Sequence, residues 1–186
     1  MDPNEDQDNA ARTVVMLSLR GIVEDQLPGE PVNEVLRGLL PEHDVEDEAV
    51  NQVAKQVRRI AKDLEKDTLL QQSIDVLRKV CKDSFMKIVE KVIVDGITWE
   101  KVIVLLYIAG KFIVKLIKEH LQQSLSDILT WTWDFFKRRV LSWIEQQGGW
   151  VSSLSSFSTP AVQYWAIFVC GFLCLGFVLW RADRSS

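Results

Sequence analysis

The run AVQYWAIFVCGFLCLGFVLW, Ala161 to Trp180, constrains this chain more than any other stretch: twenty residues without a charge, with Gln163 its one strongly polar side chain. At about 1.5 Å per residue, a helix of that length rises roughly 30 Å, the hydrocarbon thickness of a bilayer. Thr159 stands where an N-cap is wanted, and Pro160 at the first helical position, where a missing N–H costs nothing. Tyr164, Trp165 and Trp180 sit near the two ends as interfacial aromatics do, and Arg181 and Arg184 close the far side with charge. Ala166, Cys170 and Cys174 recur every four residues and make a ridge of small side chains that another helix can approach closely. Residues 159–181 are thus expected to form a transmembrane helix, with Pro160, Trp165, Cys170, Gly171, Cys174, Trp180 and Arg181 as its marker residues. Six residues follow Trp180, so insertion is expected after synthesis, as a single-pass tail anchor. A core helix of a soluble form is the competing reading. Both hold if the tail is stored in a groove and released later.

Charge is divided along the chain. Residues 1–48 carry thirteen acids against three bases, and residues 49–186 thirteen acids against nineteen bases, within a net charge of -4. A basic body that also carries an apolar C-terminus suits an anionic membrane better than nucleic acid. Met1 to Ala10 is acidic where a secretory leader is basic and then apolar, so it is expected to be a disordered N-terminus. Cys81, Cys170 and Cys174 make no disulfide framework, and His43 and His120 lack neighbours at metal-ligand spacing. Phosphate loops, nucleophile elbows and zinc-hydrolase motifs are missing as well. Neither a metal, nor a cofactor, nor an enzymatic activity is expected.

Between residues 11 and 157 apolar side chains recur at the helical period almost throughout, which predicts an all-α bundle. A first helix is expected over Ala11 to Gln26, ending before Pro28-Gly29, and a mobile, proline-bearing acidic loop over about 28–48, with a turn near Val35 to Leu40. Val50, Val53, Val57, Ile60 and Leu64 then follow in steps of three and four, with Lys55, Arg58, Arg59, Lys62 and Asp63 on the other face. That is an amphipathic helix with one apolar stripe, suited to its own core or to a partner's groove. Asp67-Thr68 and Asp83-Ser84 are expected to cap two further helices, and Thr98 a third. The last of these, Trp99 to Lys118, has almost no wet face and belongs at the centre of the bundle; Lys111 and Lys115 are its exceptions. A helix from Leu121 to Ile144, carrying the basic run Lys137-Arg138-Arg139, is expected to fold back on it as an antiparallel hairpin. Gly148 and Gly149 should end that helix, and Trp150 begin the short helix leading to the tail.

The octapeptide WIEQQGGW, Trp143 to Trp150, closely resembles the second homology motif of the Bcl-2 family, here carried by Trp143, Ile144, Gly148, Gly149 and Trp150. Asp95-Gly96-Ile97-Thr98-Trp99, followed by VIVLLYIAGKFIVK, resembles the first homology motif and the central helix after it, with Asp95, Gly96, Trp99, Lys101, Val102 and Leu105 as candidate residues. Val53, Val57, Ile60 and Leu64 fall where the third motif of the family places its four groove-filling residues, with Ala61 at the small position. The similarity runs from about Arg12 to Trp180. It departs from the pattern at one pair. The family has an aspartate after the small residue and an arginine in the first motif to receive it, whereas this chain has Lys62 and Lys101 there. Asp63, one residue further on, is the candidate substitute for the missing carboxylate.

The resemblance implies an eight-helix bundle around the central helix, plus a ninth, tail helix. It also implies a pro-apoptotic effector of the cytoplasm and the mitochondrial outer membrane. On activation the tail inserts, the third-motif helix enters a second copy's groove, dimers gather into oligomers, and the membrane is permeabilised to cytochrome c. The partners so implied are other family members and their third-motif helices, further copies of the chain, and outer-membrane lipids. A survival-type relative that sequesters pro-apoptotic members through its groove is the alternative.

Overall fold

The computed structural model describes residues 3–28, 32–38, 47–75 and 81–152, and the regular structure among them is helical. In chain order these are α1 (Pro3–Gln26), α2 (Val32–Leu36), α3 (Glu48–Leu64), α4 (Thr68–Asp75), α5 (Lys82–Val92), α6 (Trp99–Lys118), α7 (Leu125–Phe135) and α8 (Leu141–Gln146). A 3-10 turn at Gln122–Ser124 precedes α7, a π-helical turn at Phe136–Val140 joins α7 to α8, and a 3-10 turn at Trp150–Ser152 follows α8. No described helix is long and apolar enough to cross a membrane; the expected tail lies outside the described residues.

The central position of α6 follows from its composition. Its residues from Trp99 to Ile117 are buried except Glu100, Lys111 and Lys115. A helix with so little wet face must be covered on all sides. It is covered by α1, α3, α5 and α7. Thr98 starts it as expected: its Oγ1 accepts the backbone N–H of Lys101 at 3.3 Å. The approach of α1 is close because Gly110 has no side chain. A methyl group there would stand 2.6 Å from Cγ2 of Ile22.

Four expectations are corrected. The acidic N-terminus expected to be disordered belongs to α1 from Pro3 onward. Proline suits the first helical position, Glu5 and Asp6 complement the positive end of the helix dipole, and Asp8 reaches Lys137 at 3.1 Å. Within the expected 28–48 loop, the turn placed at Val35 to Leu40 is instead the short helix α2, which sends Leu36 wholly into the core; residues 39–46 lie outside the described residues. The cap of α5 is Cys81, whose backbone N–H donates to the Ser84 hydroxyl at 3.2 Å, rather than Asp83-Ser84.

The expected single helix from Leu121 to Ile144 is interrupted. Its turn widens at Phe136–Val140, where Phe136 and Val140 are buried and Lys137, Arg138 and Arg139 between them are exposed. In a regular helix Arg139, three residues after Phe136, would stand on the same face as its ring. The wider turn keeps both apolar residues inside and all three cations out.

The contact of α1 with α6 makes a direct prediction. Gly110→Ala should destabilise the bundle by about 1–3 kcal/mol through overpacking against Ile22. Denaturant unfolding should show a lower midpoint at unchanged slope; an unchanged midpoint would mean that the two helices have room for a methyl group.

Candidate functional site

The amphipathic helix read from the spacing is α3. Asp47 begins it, its Oδ1 accepting the backbone N–H groups of Ala49 at 2.9 Å and Val50 at 3.4 Å. Val53, Val57, Ile60 and Leu64 are each 0% exposed, and Ala61 is buried beside them. They face the bundle itself, between α1 and α6. Burying four such side chains contributes on the order of 6–12 kcal/mol, at roughly 1.5–3 kcal/mol each. That is comparable with the whole stability of an ordinary domain, about 5–15 kcal/mol.

The outer face of α3 is cationic and meets an anionic end of α1. The guanidinium of Arg58 forks onto Asp25, Nε to Oδ2 at 2.8 Å and Nη2 to Oδ1 at 2.6 Å, with Glu24 3.9 Å away. Arg20 holds Glu24 at 2.9 Å from within α1. The hydrogen bond to Asp25 raises the pKa of Arg58 above its ordinary value, so the fork stays charged. Lys62, at the position of the family's aspartate, lies 3.5 Å from the same Asp25 carboxylate. Asp63 is paired with Lys66 at 3.2 Å. Lys101 is 3% exposed, and its Nζ donates to the carbonyl of Gly96 at 2.9 Å.

A second polar cluster closes the C-terminal end of α3. The hydroxyl of Tyr107 on α6 donates to Oε2 of Glu65 and accepts from Nε2 of Gln71. Lys111, one turn further along α6, donates to Oε1 of Glu65 at 3.1 Å, and Gln71 Nε2 also reaches the carbonyl of Leu64 at 3.2 Å. Burial first, and then the hydrogen bond to Glu65, push the pKa of Tyr107 upward, so it remains a neutral donor.

The candidate residues of the first and second motifs meet through their aromatic rings. Trp99 packs edge-on against Trp143 at 5.0 Å and lies 6.0 Å from Trp150, which stacks with Phe136 at 6.5 Å. Trp150 reaches this cluster because Gly148 and Gly149 turn the chain with φ of +96° and +87°, a region that side chains rarely adopt. The Trp150–Ser152 turn also packs on α3, so all three candidate motifs meet in one region. Val102, Leu105 and Ile144 are buried core residues nearby on α6 and α8; Asp95 and Gly96 are exposed in the turn before α6. The tail residues Pro160, Trp165, Cys170, Gly171, Cys174, Trp180 and Arg181 lie outside the described residues.

Sequence reasoning missed Glu24, Asp25, Glu65, Gln71 and Tyr107. Two signals were present. Acids in the last turn of α1, which has no base there, oppose the helix dipole and so ask for a cation from elsewhere. A lone tyrosine in an otherwise apolar helix needs a partner for its hydroxyl.

The α1–α3 pairing makes Lys62 a test residue. Lys62→Asp places a second carboxylate beside Asp25 and should cost about 0.5–1 kcal/mol in a partly exposed setting. The same substitution in an Asp25→Asn background should cost almost nothing. Equal costs in the two backgrounds, measured by denaturant unfolding, would show that Lys62 and Asp25 do not interact.

The model of the apoptosis regulator proteins of the Bcl-2 family matches residues 47–150, from the cap of α3 to Trp150. The apoptosis regulator BAX of Mus musculus is 32% identical over 165 residues, covering 88% of this chain and 85% of that protein. Among solved structures, Trichoplax adhaerens trBcl-2L2 bound to trBak BH3 superposes with a TM-score of 0.63 at 17% identity, covering 82% of this chain and 99% of that one. Chicken BOK also superposes with a TM-score of 0.63, at 18% identity, covering 81% and 99%. The chain belongs to the Bcl-2 family of apoptosis regulators.

Proposed function

We propose that this chain is a BAX-like effector of cell death, which permeabilises the mitochondrial outer membrane. The likeness to BAX over 88% of the chain carries this reading. At rest α3 is part of the core. On activation the segment 159–181 anchors the chain in the membrane, α3 leaves its place between α1 and α6, and Val53, Val57, Ile60 and Leu64 enter the groove of a second copy. The exchange is symmetric, so each copy gives one helix and receives one. Dimers then assemble, the α6–α7 hairpin settles at the bilayer with Lys137, Arg138 and Arg139 among the head groups, and cytochrome c escapes.

Partner capture by the groove is supported by the Trichoplax relative of the same fold, which was solved bound to a BH3 segment. Other family members are thus proposed partners beside the chain itself. The chain is proposed to move between cytoplasm and mitochondria, and no catalytic chemistry is assigned to it.

Purified full-length chain should release dye from anionic vesicles when warmed toward, but not through, its unfolding transition, where local opening of α3 is populated. A chain ending at residue 160 should stay in the supernatant, because its loss removes roughly 0.8 kcal/mol of membrane affinity per buried CH₂. Tight binding of third-motif peptides with no release at any temperature would instead identify a survival-type protein. Undiminished vesicle binding by the shortened chain would overturn the anchor.

A further inference from the structure

The Tyr107 cluster differs in kind from the rest of the α3 contact. The four apolar side chains of α3 exert a non-directional pull, which any groove of suitable shape satisfies as well as the chain's own core. The polar contacts at its end are directional and address one residue in particular. Glu65 immediately follows Leu64, the last groove-filling residue, and its own N–H donates to Ala61 O at 3.0 Å to close the helix. Both carboxylate oxygens of Glu65 are then held from α6, Oε2 by the Tyr107 hydroxyl and Oε1 by Lys111 at 3.1 Å. Gln71 at the start of α4 ties the same hydroxyl to the Leu64 carbonyl.

The ring of Tyr107 is 0% exposed, so its hydroxyl has a fixed origin within the core. Residues 107 and 111 are one turn apart, which is what lets both reach a single carboxylate. Moving α3 away from α6 parts Glu65 from Tyr107 and Lys111 at once. Of the charged pair, Lys111 is the more affected, its side chain 15% exposed against 41% for Glu65. Hydrogen bonds that involve a charged group are stronger than neutral ones, and leaving a buried member unpaired costs more than the bond itself contributes.

We infer that Tyr107, Lys111, Glu65 and Gln71 form a latch that holds the third-motif helix in its closed position and sets how readily it opens. Tyr107 is its positioning residue. The inference rests on reading α3 as the helix that leaves the bundle, but its test needs no membrane.

Tyr107→Phe keeps the buried ring and removes only the hydroxyl. In the full-length chain, amide hydrogen exchange of residues 48–75, read by mass spectrometry, should become roughly tenfold faster or more, as loss of a hydrogen bond to a charged group predicts. Protection of α6 and α7 should hold, because opening of α3 is local. Glu65→Ala should have a similar effect, and adding Tyr107→Phe to it should change little further, because both substitutions break one cluster. Unchanged exchange over 48–75, or equal acceleration over residues 99–146, would overturn the latch, the second by showing a general loss of stability. Faster exchange of 48–75 without dye release from vesicles would support the latch and count against the effector reading alone.

Discussion

Four apolar side chains tie α3 into the bundle. Val53, Val57, Ile60 and Leu64 are completely buried between α1 and α6, and they make up a share of the core that the bundle cannot lose without compensation. Exposed to water, they forfeit on the order of 6–12 kcal/mol, close to the margin by which a domain is folded. Such a helix leaves only for another apolar site. In the proposed exchange the stripe that completes the resting fold would also set what a partner must offer, a groove able to cover four residues at helical spacing.

Charge gives that helix its direction. Its wet face carries Lys55, Arg58, Arg59 and Lys62, and Asp25, beside Glu24 at the end of α1, receives two of these cations. The family's aspartate and arginine are lysines here, at 62 and 101, and the structure accommodates both inside one molecule: Lys62 against Asp25 and Lys101 on the carbonyl of Gly96. The counter-charge of Lys62 thus lies on α1.

The bundle was legible in the sequence wherever one physical signal dominated. The bounds of α6 follow from a threonine cap and an apolar helix with hardly a polar face, and α3 from strict three-and-four spacing. The glycine pair after α8 was legible because positive φ selects for it. Signals that depend on a distant partner were not. The helical start at Pro3 is supported in part by Lys137, more than a hundred residues away. The π-helical turn at Phe136–Val140 follows from which of five neighbouring side chains the rest of the core can accept. Of the candidate site, the apolar and aromatic members were found from period and motif. The polar members, Asp25, Glu65, Gln71 and Tyr107, are paired across 33 to 42 residues and acquire meaning only when the helices are side by side.

If α3 has to leave α1 for the protein to act, as proposed, a covalent tether between the two helices should block it. A Cβ at Gly21 would stand 3.5 Å from Cβ of Arg58, within the roughly 3.5–4.5 Å of a disulfide. The variant carries Gly21→Cys and Arg58→Cys, with Cys81, Cys170 and Cys174 replaced by alanine. Dye release from anionic vesicles is then measured in its oxidised and reduced forms. The oxidised protein should bind the vesicles but release nothing, and reduction should restore release. Equal release by the two forms would contradict the proposal.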